Sequence, residues 1–532
     1  MSIVTLSSDS KSAISTSVIH DLAISAGIKI PDEHVDDWKT LIAGLDHCAK
    51  YVMEELDDYY PEVDYDLYPR TEISIPKYED SDRGGWATKC TVISTAPKSN
   101  LLSGKTIALK DNIAVAGVRC TNGNTAVDWT PQIDATIVTR LLDAGAIIKG
   151  KATCENNCFG AVSDTSITGP VHNPWADEYS TGGSSSGCAR LVASGAVDMA
   201  IGADQGGSIR LPSSNCGIVG FKPTWGLIPY TGVISLEATI DHAGPMAKNV
   251  PDTARLMDVL AGEDGLDDRI PYTVKVGDVQ YAEGIQKRLQ LPKEQRLKGL
   301  KIGILEEGFQ DPKQDPNVEA LVRSAAEKFT EFGAEVESCS IPLHKDAGMI
   351  WACALPMAGR RQLFLTDRHP PTPTPYLSQF AFDALGPGGQ NIYLRHLHLT
   401  RNYGPRLHGK TMNILRRLTD SYNHAFRTYD ILLTPTTPCP PVKILHSWNQ
   451  GNPLERLVRT TGVSTNTAPF NSSGHPALSL PVGFVPAKDD TSVKLPAGMQ
   501  LVGRQGEDLK VLEVAACWEL EVQWKERFEE RF

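Results

Sequence analysis

The apolar and polar positions change rhythm three times along the chain. From Thr16 to about Asp58 the period is helical. His20, Leu22, Ala23 and Ala26 run into Gly27, a helix stop, and Pro31-Asp32-Glu33 opens a second helix. Val35, Trp38, Leu41, Ile42 and Leu45 recur on one face of that helix, and Val52 and Leu56 extend it. Such a stripe has to be buried, against the main body or a second copy of the chain. Residues 59–98 show little periodicity and many Pro, Asp and Tyr, which reads as a long connection. From about Thr91 short apolar runs alternate with helical segments. Thr106–Leu109 and Ile147–Ile148 read as buried strands, and Thr136–Ala144 between them places Ile137, Val138, Leu141 and Leu142 at helical spacing. Lys301–Leu305 reads as a strand, followed by a helix over Pro316–Phe332 and a turn at Gly333. Residues 344–428 read as mainly helical around an extended spacer, Pro370–Pro375, and the last helix spans Asp508–Phe528.

Alternation of this kind predicts an α/β fold, a sheet covered by helices on both faces. The expected organisation is a disordered tail over 1–17, a small N-terminal helical domain over 18–60, a connecting segment over 61–90 and a main domain over 91–532 that includes the helical insertion. No internal repeat is visible.

Composition narrows the function classes. The chain has 532 residues, 64 acidic against 52 basic, and a formal net charge of −12, a balance that disfavours nucleic acid as a partner. No apolar run is long enough to span a membrane, and Met1–Ser17 lacks the basic and apolar regions of a secretory signal. The 11 cysteines are scattered without a Cys-x-x-Cys pair. Cys154 and Cys158 stand four apart, but no second pair completes a zinc site. This reads as a cytoplasmic protein with reduced thiols, no metal and no cofactor.

The densest chemical signal lies between Ser180 and Pro229. Two Gly-Gly-Ser clusters, Gly182-Gly183-Ser184 and Gly206-Gly207-Ser208, lie 24 residues apart. Each places a hydroxyl after two glycines, where the backbone can turn sharply and its N–H groups can approach a substrate. A nucleophile with an adjacent oxyanion hole needs that arrangement. Cys188–Ala203, between the clusters, is small and apolar and reads as core.

These clusters, with Lys110-Asp111-Asn112 after Gly104, Gly206-Gly-Ser-Ile-Arg210, Gly220-Phe-Lys-Pro-Thr224, Leu433-Thr-Pro-Thr436 and the block Asn466–Pro481, resemble the amidase signature family of Ser-cisSer-Lys amide hydrolases. The resemblance covers about residues 90–520. It implies a large mixed, twisted sheet with helices on both faces. It also implies Ser208 as nucleophile, Ser184 as relay behind a cis Gly183–Ser184 peptide, and Lys110 as base. Lys110 can act as base only when neutral, which an apolar setting favours. The amides of Gln205, Gly206, Gly207 and Ser208 would form the oxyanion hole, with Asn157, Gly182 and Gly183 in the substrate site. The Asp204-Gln205 variant and Glu237–Pro245 look most like broad-spectrum amidases of nitrile-degrading pathways, which also carry an N-terminal helical domain. The Gln205 side chain reads either as a substrate ligand or as a brace for the turn, and Arg210 as a buried partner of Asp204.

The implied reaction is hydrolysis of a carboxylic amide to acid and ammonia, on a small-molecule amide or carbamate substrate, in a homodimer. A carbamate-ester hydrolase needs the same three residues. Further alternatives are one component of a tRNA-dependent amidotransferase and a binding protein with a degenerate site. Other motifs are weaker. Gly183–Gly187 fits a Gly-x-Ser-x-Gly elbow with Ser185 as nucleophile and His242 or His475 as base, but leaves Lys110 unexplained. Ser103–Thr106 ends like a phosphate loop, yet Ser99 stands where that motif demands Gly. Ser74–Lys77 fits Ser-x-x-Lys in an irregular stretch.

Overall fold

The computed structural model describes residues 14–57, 59–127, 129–270, 274–358, 378–446 and 451–524. The chain divides between Pro61 and Glu62 into two compact units.

The first unit is a pair of helices, α1 (Thr16–Ala26) and α2 (Val35–Glu54). Gly27 ends α1 in the left-handed conformation, and its N–H bonds back to Ala23 and Ile24. Asp36 and Asp37 sit in the first turn of α2, where acidic side chains suit the helix dipole. Ile19, Ala23, Val35 and Ala43 are buried, whereas Trp38, Leu41 and Leu45 are 47%, 44% and 51% exposed. Of the expected 1–17 tail, Thr16 and Ser17 belong to α1, and residues 1–13 lie outside the described residues.

The second unit is built on one mixed sheet. Its strands are β1 (Arg70–Ser74), β2 (Trp86–Val92), β3 (Thr106–Lys110), β4 (Ile147–Ala152), β5 (Met199–Asp204), β6 (Val219–Lys222), β7 (His242–Ala247), β8 (Lys301–Leu305), β9 (Glu335–Cys339), β10 (Ile431–Pro435), β11 (Ala477–Pro486) and β12 (Lys494–Gly503). They lie in the order β1-β2-β4-β3-β5-β7-β6-β11-β12-β10-β8-β9. The pairs β3/β4, β3/β5, β8/β10 and β8/β9 are parallel. Helices cover both faces. All six residues of β5 are buried, as expected of a strand that is apolar on both sides. On α3 (Thr136–Asp143), Ile137, Val138, Leu141 and Leu142 are all buried; each contributes roughly 1.5–3 kcal/mol relative to exposure.

Residues 61–90, expected to be a connection, instead supply β1 and most of β2, the edge of the sheet. The register slips between Thr71 and Ser74, and Glu72 has φ 56, so the bulged strand carries no clean alternation to read. The helix from Pro316 is α-helical to Glu327 and tightens into a 3₁₀ turn through Phe332. The insertion is helical over Ala347–Ala358, Gln379–Ala384 and Gly386–Ala425. The Pro370–Pro375 spacer lies outside the described residues, and the last helix runs over Asp508–Glu521.

Candidate active site

Three parallel strands aim their carboxyl ends at one place. Leu109 of β3 pairs with Ile201 of β5, and Lys110 with Ala152 of β4. The chain leaves β4 into Thr153–Phe159 and β5 into Gln205–Ser208, outside the carboxyl ends of the strands where α/β sheets place their sites. The Gly182–Ser185 segment joins them, at the start of the helix α4 (Ser186–Ser194).

Lys110 is fully buried, and its Nζ donates to Ser184 Oγ at 2.8 Å and to the Ala203 carbonyl at 3.2 Å. Asp111 points the other way, as strand alternation requires. It accepts from Thr121 N and Oγ1 at 3.0 and 2.7 Å, and from Lys151 at 3.4 Å. The Gly183–Ser184 peptide is cis. The Ser185 amide donates to the Ser208 carbonyl at 3.2 Å, which ties the two glycine-serine clusters together. Lys110 and Ser184 have no solvent exposure; Ser208 retains 9%.

Of the four expected oxyanion donors, Gly207 is a correction. Its N–H is turned inward onto Asp204 Oδ1 at 2.6 Å. At φ 129 it holds a conformation that L side chains rarely adopt, and a Cβ there would collide with the Thr467 hydroxyl. The amides of Gln205, Gly206 and Ser208 engage no acceptor among the described residues. Trp351 Nε1 donates to the Gln205 carbonyl at 3.0 Å, with its indole against Gly206, and Thr467 Oγ1 donates to the Gly206 carbonyl at 2.6 Å. The Gln205 side chain donates to Tyr230 Oη at 2.7 Å, and its buried Oε1 has no partner among the described residues.

Asp204 clasps this turn from below. Its carboxylate accepts from Gly207 N, from Ile209 N at 3.1 Å, from Arg210 Nε and Nη2 at 3.0 Å each, and from Asn471 Nδ2 at 2.8 Å. Arg210, at the start of the short helix α5 (Arg210–Cys216), also reaches Gln500 Oε1 and Asn471 Oδ1, both at 2.7 Å. Burial pushes the Asp204 carboxyl up, but the guanidinium outweighs it and holds the group well below the carboxylate range.

The remaining expected residues are scattered around this centre. Gly182 and Gly183 are buried; a Cβ on Gly183 would collide with the Val162 carbonyl. Asn157 is half-buried with φ 49, and its Oδ1 accepts from Asn122 Nδ2 at 3.3 Å. His475 lies between Ser473 Oγ and Asn423 Oδ1 at 2.9 and 3.2 Å, and burial holds it down at about 3. Ser185 Oγ donates to the Ala203 carbonyl at 3.3 Å, so the elbow reading finds no base beside it.

Two residues at the site escaped the sequence reading. Glu155 is buried beneath Gly183, accepting from Thr165 N and Oγ1 at 2.9 and 2.5 Å and from Ser186 Oγ at 2.9 Å; burial pushes its carboxyl up to about 8. Cys158 is buried beside Asn157, and its thiol donates to Asn122 Oδ1 at 3.3 Å. A cysteine with φ 59 gives no local signal in sequence. Among the described residues, no group of three His, Cys, Asp or Glu is placed to hold a metal ion.

A family model described as Amidase matches residues 86–512. The chain belongs to the amidase signature family. It is accordingly a hydrolase acting on amide C–N bonds. Over 431 residues this amidase-family chain is 38% identical to an enantioselective amidase of Rhodococcus rhodochrous, covering 78% of this chain and 79% of the relative. It is 30% identical to a glutamyl-tRNA(Gln) amidotransferase subunit of Synechococcus sp. (strain CC9902), covering 91% and 95%. Among solved structures, the peptide amidase of Stenotrophomonas maltophilia superposes with a TM-score of 0.64 at 27% identity, covering 79% of this chain and 83% of that one.

Proposed function

We propose that the protein is a free-standing amidase that converts a carboxylic amide to acid and ammonia through an acyl-enzyme. Ser208 Oγ attacks the carbonyl carbon while Ser184 takes its proton and passes its own to Lys110. The proton returns by the same path to the leaving nitrogen, and water repeats the cycle on the ester. The observation that carries this reading is the 2.8 Å bond from buried Lys110 to Ser184, in a segment tied to Ser208 through the Ser185 amide. Developing oxyanion charge falls to the amides of Gln205, Gly206 and Ser208. The buried, unpartnered Gln205 Oε1 supports a substrate that carries an N–H of its own. Gly182, Gly183 and Asn157 line the acyl side of the site in this reading.

The greater identity to the Rhodococcus amidase supports hydrolysis of a free small molecule. The relatives named for glutamyl-tRNA(Gln) amidotransferase favour a second reading, in which the same residues release ammonia for a partner. Eleven unpaired cysteines support a reducing, cytoplasmic setting, and among the described residues no helix is long and apolar enough to cross a membrane. The half-exposed Trp38, Leu41 and Leu45 support a homodimer through the first unit.

The test is a panel of aliphatic and aryl amides, carbamate esters, esters and glutamine, assayed for ammonia and acid, with an alkyl fluorophosphonate to mark the nucleophile. Label on Ser208 and turnover of simple amides are expected. Label on Ser185 would refute the nucleophile, carbamate-only turnover would assign a urethane hydrolase, and turnover of glutamine alone would favour the amidotransferase reading.

A further inference from the structure

The turn that follows β5 is held one peptide plane at a time. Among the described residues only the Gly183–Ser184 bond is cis, so every peptide from Asp204 to Ser208 is trans. In a planar trans peptide the carbonyl and the following N–H point in opposite directions, so whatever fixes one aims the other. Glycines at 206 and 207 leave these planes free to rotate unless something grips them. Each carbonyl has a grip. The Asp204 carbonyl accepts from Asn471 Nδ2 at 2.8 Å, Gln205 from Trp351 Nε1 at 3.0 Å, Gly206 from Thr467 Oγ1 at 2.6 Å, and Gly207 from the Leu211 amide at 2.7 Å. The N–H groups of the same four planes are those of Gln205, Gly206, Gly207 and Ser208. The Gly207 N–H is already on Asp204, which leaves the three free amides of the site.

Three of these grips belong to the buried surroundings of the turn. Asn471 and Thr467 have no solvent exposure, and Leu211 lies in the first turn of α5. The Gln205–Gly206 plane is the one gripped from the helical insertion. Trp351 stands on the helix Ala347–Ala358, and no other described group bonds the Gln205 carbonyl. Its indole is so close that a Cβ on Gly206 would come within 2.9 Å of Cζ2. Toward the other end of that helix the Pro356 carbonyl accepts from the buried His396 Nδ1 at 2.7 Å, so the helix carrying the indole is itself anchored.

We propose that Trp351 is a positioning residue whose indole N–H, by holding the Gln205 carbonyl, aims the Gly206 N–H at the oxyanion. The inference rests on Ser208 being the nucleophile. When Ser208 Oγ bonds to the carbonyl carbon and its proton passes to Ser184, the C=O π pair moves onto oxygen, and the Gly206 amide must already face it. Donation into the Gln205 carbonyl also polarises that peptide and strengthens its N–H as a donor. The indole acts through Gly206, from the opposite side of the peptide plane.

The experiment follows labelling of the full chain by an alkyl fluorophosphonate as a function of probe concentration, which separates the limiting rate from the half-saturating concentration. In that reaction Ser208 Oγ bonds to phosphorus, fluoride leaves, and the phosphoryl oxygen takes the place of the oxyanion. Trp351→Phe removes the N–H. β-(3-Benzothienyl)alanine inserted at position 351 keeps the bicyclic shape with sulfur in place of the N–H. Both should slow the limiting rate about 10-fold, part of the loss expected for a whole oxyanion donor, and leave the half-saturating concentration within about twofold of wild type. The benzothienyl chain should melt with the wild type. A wild-type limiting rate in the benzothienyl chain, or a rate that falls only together with the melting temperature, would leave a packing role and overturn the proposal. A raised half-saturating concentration at an unchanged limiting rate would place the indole against the ligand, which also overturns it. If the benzothienyl chain does not fold, Trp351→Phe decides by the same split. Ser208→Ala is the control. If it still takes the label, the nucleophile assignment fails; if it does not, while both variants at 351 react as wild type, only the Trp351 inference fails.

Discussion

Replacing Arg210 with Met strands a carboxylate. Arg210 and Asp204 are both fully buried, and the guanidinium supplies two of the donors around Asp204 together with its adjacent counter-charge. Removing one partner of such a pair costs about 3–5 kcal/mol. Unfolding entropy near 2.1 cal/mol/K per residue gives roughly 1 kcal/mol per degree for a unit of about 470 residues, so the melting temperature should fall by about 3–5 °C at pH 7. The pH dependence carries a second signature. In the wild type the Asp204 carboxyl is depressed, so its contribution is present above its unfolded value and lost as pH falls through the folded one. Without Arg210, burial governs and raises the group; stability is then fully present below the unfolded value and lost as pH rises. The gap between wild type and Arg210→Met in differential scanning calorimetry should therefore widen from pH 4 to pH 7. Asp204→Asn in the Arg210→Met background should recover part of the loss by removing the stranded charge. A gap below about 1 °C at pH 7, or one that does not vary with pH, would refute the reasoning.

Glu155 titrates in the opposite sense. Raised from 4.5 to about 8, it gives stability that is complete below the unfolded value and lost as pH rises toward 8, so Glu155→Gln should flatten the decline in melting temperature between pH 5 and pH 8. An unchanged slope would remove Glu155 as its source. Gly207→Ala forces a Cβ into the Thr467 hydroxyl and should slow fluorophosphonate labelling of Ser208 by about 10²-fold or more, because the adjacent amides move with the turn; wild-type labelling would show that the turn accommodates the methyl. Leu41→Glu combined with Leu45→Glu places charge on the exposed stripe of α2 and should halve the mass seen by light scattering if that face joins two copies. An unchanged mass would place the contact elsewhere.

What could be read from sequence was what local chemistry encodes. Runs such as Thr106–Leu109 have one good conformation in an α/β core, and the glycines at 182, 183, 206 and 207 mark sharp turns whose following hydroxyls are Ser184 and Ser208. The edge strands were hidden because a bulge and positive φ at Glu72 break their alternation. The direction of a single amide was hidden as well: Gly207 looks like its neighbours in sequence, and only the position of Asp204 shows that its N–H is already taken. Arg210 suggested Asp204, six residues away, but not Asn471 and Gln500, which lie 261 and 290 residues along the chain. Asn157 carried a legible hint, since Asn tolerates the left-handed conformation. That Cys158 shares it follows from tertiary context alone.

The strand order sets when this molecule becomes an enzyme. β6 pairs with β11, and Gln500, which holds Arg210, lies on β12 between β11 and β10. A nascent chain therefore carries Lys110, Ser184 and Ser208 from early in synthesis, yet the turn ahead of Ser208 lacks its far braces until the final strands have left the ribosome. Contacts so distant in sequence are slow to close and leave apolar strands waiting for partners. Premature termination before Lys494 should give a product with every acyl-transfer side chain present, no activity, and a strong tendency to be captured by chaperones or degraded.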